Sequence, residues 1–214
     1  GINAHGNGEL AEAARLYQAV LERDTEHAGA HTQLGLLLGQ QQQWEPALAH
    51  LRAALRLNPQ QTMAHCHLGQ VLVATGAVDE GLEHLEQAVT CDPFNVTAWD
   101  NLARIRILLG QFEAGEYAAM RALKIRPNEP HLLTRLGIAI AAQKRLAEAL
   151  HCYQQALVLD RDHAEAWTQM GITFFLRNDP GSAEQALQTA ISLNAEDTSA
   201  LRHLALVSLR MGNH

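Results

Sequence analysis

Apolar residues return every three or four positions along almost the whole chain, interrupted at regular intervals by short polar breaks. Residues 165–193 show the unit: "EAWTQMGITFFLR" carries one apolar stripe, "NDPG" breaks it, and "SAEQALQTAISL" carries a second. A period of about 3.6 residues is that of one helix face, so each such stretch predicts two amphipathic helices joined by a tight turn.

The unit recurs. "AHTQLG" (30–35), "AHCHLG" (64–69), "AWDNLA" (98–103), "LLTRLG" (132–137), "AWTQMG" (166–171) and "ALRHLA" (200–205) each stand 34 residues after the one before. Small residues keep the same step, with Gly35, Gly69, Ala103, Gly137, Gly171 and Ala205 in the first helix and Ala13, Ala47, Gly81, Gly115, Ala149 and Ala183 in the second. A glycine inside a helix costs about 0.5–1 kcal/mol relative to alanine, so its recurrence predicts close helix–helix approach. None of the six prolines falls mid-helix in this register. Pro59, Pro93, Pro127 and Pro130 lie in the breaks between repeats, and Pro46 and Pro180 at the start of second helices, where a missing N–H does no harm.

This pattern resembles the tetratricopeptide repeat, with a large residue at position 4, Leu at 7, Gly or Ala at 8, Ala at 20 and 27, and Pro at 32. Trp99 and Trp167 match position 4; Leu34, Leu68, Leu102, Leu136 and Leu204 match position 7, with Met170 substituting once. The resemblance covers essentially the whole chain. It implies an all-α fold, a right-handed α-solenoid of stacked antiparallel helix pairs. In this register residues 1–214 form a single array: a partial repeat at 1–27, complete repeats at 28–61, 62–95, 96–129, 130–163 and 164–197, and the first helix of a further repeat at 198–214. Both ends read as cut, which predicts a fragment of a longer protein.

Composition narrows the function. The formal net charge is −7 and only Lys124 and Lys144 are lysines, so nucleic acid is not an expected partner. No apolar run reaches the ~18–20 residues that span a bilayer, and membrane insertion is not expected. Cys66, Cys91 and Cys152 are odd in number and form no CxxC pair. This argues against a disulfide framework and inclines the compartment, otherwise unknown, toward the cytoplasm. Cys91 aligns with Leu57, Ile125, Leu159 and Leu193 and reads as an inert core thiol.

"HCHLGQ" (65–70) is the one stretch that suggests a metal. On a helix, residues two apart point about 200° away from one another, so His65 and His67 cannot share an ion. His65 falls at position 4, where Trp99 and Trp167 stand, and should be covered by packing. There is no HExxH, phosphate loop or nucleophile elbow, so neither a cofactor nor catalysis is expected of these residues.

The resemblance also implies a concave surface lined by first helices, with positions 2, 5, 6, 9, 12 and 13 facing a ligand. Position 6 holds Gln33, His67, Asn101, Arg135, Gln169 and His203, all able to donate hydrogen bonds to an extended backbone. Similar proteins, the O-linked N-acetylglucosamine transferases, carry asparagines there, a ladder that only Asn101 matches strictly. Chaperone adaptors clamp a carboxylate with lysines that this chain lacks. A modest cationic spot remains, Arg104 and Arg135 with Gln70, Asn101 and His131 around it. An ordinary solvated face, with both arginines paired to local acids such as Asp100, is the alternative. The expected function is a non-catalytic scaffold binding a protein or extended peptide in the groove. Two alternatives are the substrate-targeting arm of a larger bacterial glycosyltransferase or methyltransferase, and a component of a secretion or pilus-assembly system. Self-association through exposed solenoid ends is a further expectation.

Overall fold

The computed structural model describes the backbone of residues 2–212 and the side chains from Glu12 to Gly212. Among these residues there are helices and turns but no strand. After α1 (Ile2–Arg23) the helices come in pairs: α2 (Ala28–Gln40) with α3 (Trp44–Leu57), α4 (Thr62–Ala74) with α5 (Val78–Cys91), and α6 (Val96–Leu108) followed by α7 (Phe112–Ile125). Then come α8 (Pro130–Ala142) with α9 (Leu146–Leu159), α10 (Ala164–Leu176) with α11 (Pro180–Leu193), and finally α12 (Thr198–Met211). From α2 onward, first helices open 34 residues apart, and so do second helices.

The same period fixes the turns. Position 15 of each repeat takes a left-handed backbone: Gln42 (φ 58°), Gly76 (91°), Gly110 (75°), Lys144 (67°), Asn178 (64°) and Gly212 (73°). One such residue reverses the chain after a helix and is easiest for glycine, which has no Cβ to clash. Gly8 is the equivalent residue of the partial repeat, and there α1 runs on unbroken from Ile2 to Arg23.

The chain divides into two compact units, residues 1–105 and 106–214. In the first, α2 packs on α3 and α4 on α5, while α3 against α4 and α2 against α4 join successive pairs. In the second, α8 packs on α9 and α10 on α11, with α7 on α8, α9 on α10 and α11 on α12. The small residues make these pairings close. A Cβ on Gly35 would lie 2.6 Å from Leu51 Cγ, and one on Gly171 2.7 Å from Leu187 Cγ. At Gly69 and Gly81 two bare backbones meet, because a Cβ on either would strike the other's carbonyl oxygen at 2.6 and 2.8 Å. Position 24 seals each pair with a fully covered side chain, Leu51, Leu85, Tyr153 or Leu187.

Position 30 is less covered than its sequence suggests. Leu57, Leu159 and Leu193 are each more than a third exposed, and Cys91 is half-buried rather than in the core. Each closes its helix, where no following turn shields it.

Asp197 shows how one repeat is tied to the next. Its Oδ1 accepts from the Ser199 and Ala200 amides and so caps α12, while Oδ2 accepts from Thr168 Oγ1 at 2.6 Å. Burial works against its charge, but the bonds from Thr168 and the two amides outweigh it and hold its pKa below the ordinary value. The unfolded chain therefore takes up this proton first. The stabilisation is complete above the ordinary carboxylate pKa of about 3.9 and is lost as pH falls through the lower folded value. Asp197→Ala is expected to cost about 1–2 kcal/mol, measured by urea denaturation at pH 7. An unchanged midpoint would show that the cap contributes nothing.

Candidate functional site

The position-6 residues do not share one environment. In the first unit Gln33 lies half-buried on α2, whereas His67 on α4 and Asn101 on α6 are only 7% and 9% exposed. Neither Nδ1 nor Nε2 of His67 has a hydrogen-bond partner of good geometry, although both are sealed from solvent and Gln70 lies near. Burial lowers its pKa, only partly opposed by Gln70 one turn along, so the ring is neutral at pH 7. Asn101 reaches the thiol of Cys66, whose pKa burial pushes up to about 11 against that hydrogen bond. Such a thiol is protonated and unreactive at neutral pH. Arg104 is half-buried on α6 and already engaged by a neighbour.

In the second unit the predicted residues are committed differently. His131 is exposed in the first turn of α8, its Nδ1 3.7 Å from Glu129 Oε2. Arg135 is half-buried on α8 and, like Arg104, already engaged. His203 Nδ1 donates to the Ser199 carbonyl of its own helix at 2.8 Å, and Gln169 is half-buried on α10. The five residues read together as a cationic spot thus divide between the units, with Gln70, Asn101 and Arg104 in the first and His131 and Arg135 in the second.

Position 5 turns inward in four of the repeats. Thr32, Thr134 and Thr168 are buried, each hydroxyl lying 2.9–3.1 Å from the carbonyl four residues back, while Cys66 is fully covered. These side chains stabilise the stack and offer little to a ligand.

The sequence reading also missed two histidine pairs. His31 Nδ1 lies 2.8 Å from His50 Nδ1, and His65 Nδ1 lies 2.9 Å from His84 Nδ1. Each pair joins positions 4 and 23 of one repeat, in two consecutive repeats, so a search for histidines 19 apart recurring after 34 residues would have found them.

Models of the tetratricopeptide repeat match residues 1–60, 32–96, 66–130 and 130–163. The chain belongs to the tetratricopeptide repeat family. Repeats of this family are typical protein–protein interaction scaffolds. A search of curated proteins finds no match.

Solved tetratricopeptide structures share the fold. YrrB, described as having an unusual peptide-binding site, is 24% identical, with a TM-score of 0.66 over 89% of this chain and 98% of that one. The Cut9–Hcn1 hetero-tetramer of the APC/C matches at a TM-score of 0.82 and 18% identity, over 97% of this chain and 41% of that one. PilF of Pseudomonas aeruginosa matches at 0.75 and 20%, over 90% and 87%. Among the described residues of this tetratricopeptide array, no three His, Cys, Asp or Glu side chains converge as metal ligands. No described helix is long and apolar enough to cross a membrane.

Proposed function

We propose that this array is a non-catalytic scaffold that binds an extended protein segment along its first helices, with Gln33, His67 and Asn101 as the contact ladder of the first unit. Arg135, Gln169 and His203 are the corresponding residues of the second unit. The observation that carries this reading is His67, a buried imidazole with no hydrogen bond of good geometry at either nitrogen. Leaving a buried polar group unsatisfied costs about 1–3 kcal/mol, and a leucine would fill the position without that cost. A neutral imidazole offers one donor and one acceptor, the complement of a peptide unit. The peptide-binding site ascribed to YrrB, a protein of the same fold, agrees with this use.

The test is His67→Leu in the full chain, titrated against peptides selected on an array probed with the wild type. The expected result is a Tm equal to or above wild type together with at least tenfold weaker binding, because the orphaned groups cost stability and serve the ligand. Asn101→Ala should weaken binding in the same direction. Affinity unchanged in both variants would refute the ladder and leave these residues as packing within the stack.

A further inference from the structure

The four histidines at positions 4 and 23 of the first two complete repeats serve neither the ladder nor the apolar core. Their protonation can be read from their partners. His65 Nε2 lies 3.0 Å from the Pro59 carbonyl oxygen, and His31 Nε2 lies 3.2 Å from that of Thr25. A carbonyl can only accept, so both Nε2 atoms carry hydrogen. Trp99 and Trp167 confirm the role: at the same position their indole N–H donates to the carbonyls of Pro93 and Arg161, also six residues back, at 2.9 and 2.8 Å.

A neutral imidazole has one N–H. With Nε2 protonated, Nδ1 of His31 and His65 is bare and must accept, so the hydrogen between the rings belongs to His50 or His84. Ring centroids 5.1 Å apart in each pair mean that the two Nδ1 atoms point straight at one another. That geometry suits a proton and not a metal. An ion in line between two imidazoles would need them about 4 Å apart, given metal–nitrogen bonds of ~2.0–2.1 Å.

Each pair therefore has room for one added proton and no more. The first goes to the outer Nε2 of His50 or His84, both half-buried, and leaves every hydrogen bond in place. A second would have to occupy Nδ1 of His31 or His65, setting N–H against N–H and charge against charge. We propose that the two pairs form an acid-released clasp, fastening α2 to α3 and α4 to α5 near neutral pH and opening as the pH falls below about 6.5.

The surroundings support this direction. His84 is faced by His65 from α4, by Glu80 and Glu83 on its own helix and by Arg52 from α3, which is 3.0 Å from Glu80. Burial and then His65 lower its pKa, and the two glutamates do not reverse the shift. His50 is faced by His31, and burial followed by that neighbour lowers it too. In the unfolded chain all four imidazoles titrate near 6.5. Below that pH the unfolded state binds more protons than the folded state, so stability present above about 6.5 is lost on acidification. One refused proton shifts the folding equilibrium tenfold per pH unit, and two pairs shift it about a hundredfold.

The chain supplies its own control, because Trp99 and Trp167 at position 4 accompany Ala118 and Ala186 at position 23. Wild type is compared with a variant carrying His31→Trp, His50→Ala, His65→Trp and His84→Ala, by urea denaturation of the full chain from pH 7.5 to 5. The wild type should lose about a hundredfold more in folding equilibrium per pH unit between 6 and 5 than the variant does. Equal pH slopes overturn the proposal. A second measurement holds even where the variant does not fold: long-range proton–nitrogen NMR of wild type at pH 7.5. It should show His31 and His65 protonated on Nε2, and His50 and His84 on Nδ1. The same tautomer on both rings of a pair overturns the proposal as well.

Discussion

Tyr153→Ala is expected to lower the stability of the chain by about 3–5 kcal/mol, the usual range for removing a buried aromatic. Tyr153→Phe should raise it by about 1 kcal/mol by removing an unsatisfied hydroxyl. Tyr153 is fully covered and lies where Leu51, Leu85 and Leu187 stand in other repeats. Gly137 makes its ring possible, because a Cβ there would overlap the ring carbons. The hydroxyl comes near Thr173 but has no hydrogen-bond partner of good geometry. Burial raises its pKa, so it stays protonated throughout the neutral range. Urea titrations followed by circular dichroism separate the two variants. A phenylalanine variant less stable than wild type would mean that the hydroxyl bonds to something, a buried water above all.

The second large effect lies at the crossing of α4 and α5. Gly69→Ala improves helix propensity by about 0.5–1 kcal/mol, yet it should destabilise the chain by about 2 kcal/mol net. The new methyl group would fall 2.6 Å from the Gly81 carbonyl oxygen and 2.7 Å from Leu85 Cγ. A leucine can change rotamer, but a backbone oxygen moves only with its helix. Gly181→Ala is the matched control. Its Cβ would meet nothing closer than Asp179 Oδ1 at 4.0 Å, so it should gain about 0.5 kcal/mol. If Gly69→Ala melted at or above wild type, the close approach of these helices would be refuted.

The helices were legible because their signals repeat. Gly35, Gly69, Gly137 and Gly171 stand in register, and each takes part in a close crossing. Six copies of one pattern average away local ambiguity. Covered His65 was also legible, since Trp99 and Trp167 mark its position as a packing site. The candidate site was legible only as a row of positions. The register places His67 beside Gln33 and Asn101 on first helices, but burial depends on neighbours from other helices, which a one-dimensional pattern does not contain. Hence Gln33 stays half-exposed where His67 is sealed. The histidine pairs escaped for a related reason. Each histidine looks ordinary on its own helix, and meaning arises only when positions 4 and 23 are read jointly. Position 30 misled because a helix's last residue keeps the apolar period while losing the cover.

The left-handed turn residues bear on how this sequence tolerates change over time. Three of the six, Gln42, Lys144 and Asn178, hold that conformation with a side chain attached. Each sits roughly 1 kcal/mol above what glycine would allow, asparagine somewhat less. The molecule is therefore below the ceiling of stability that its own fold permits. A lineage carrying it can suffer a damaging change in one repeat and restore foldedness with a glycine at a distant turn, leaving both ladder and clasp untouched.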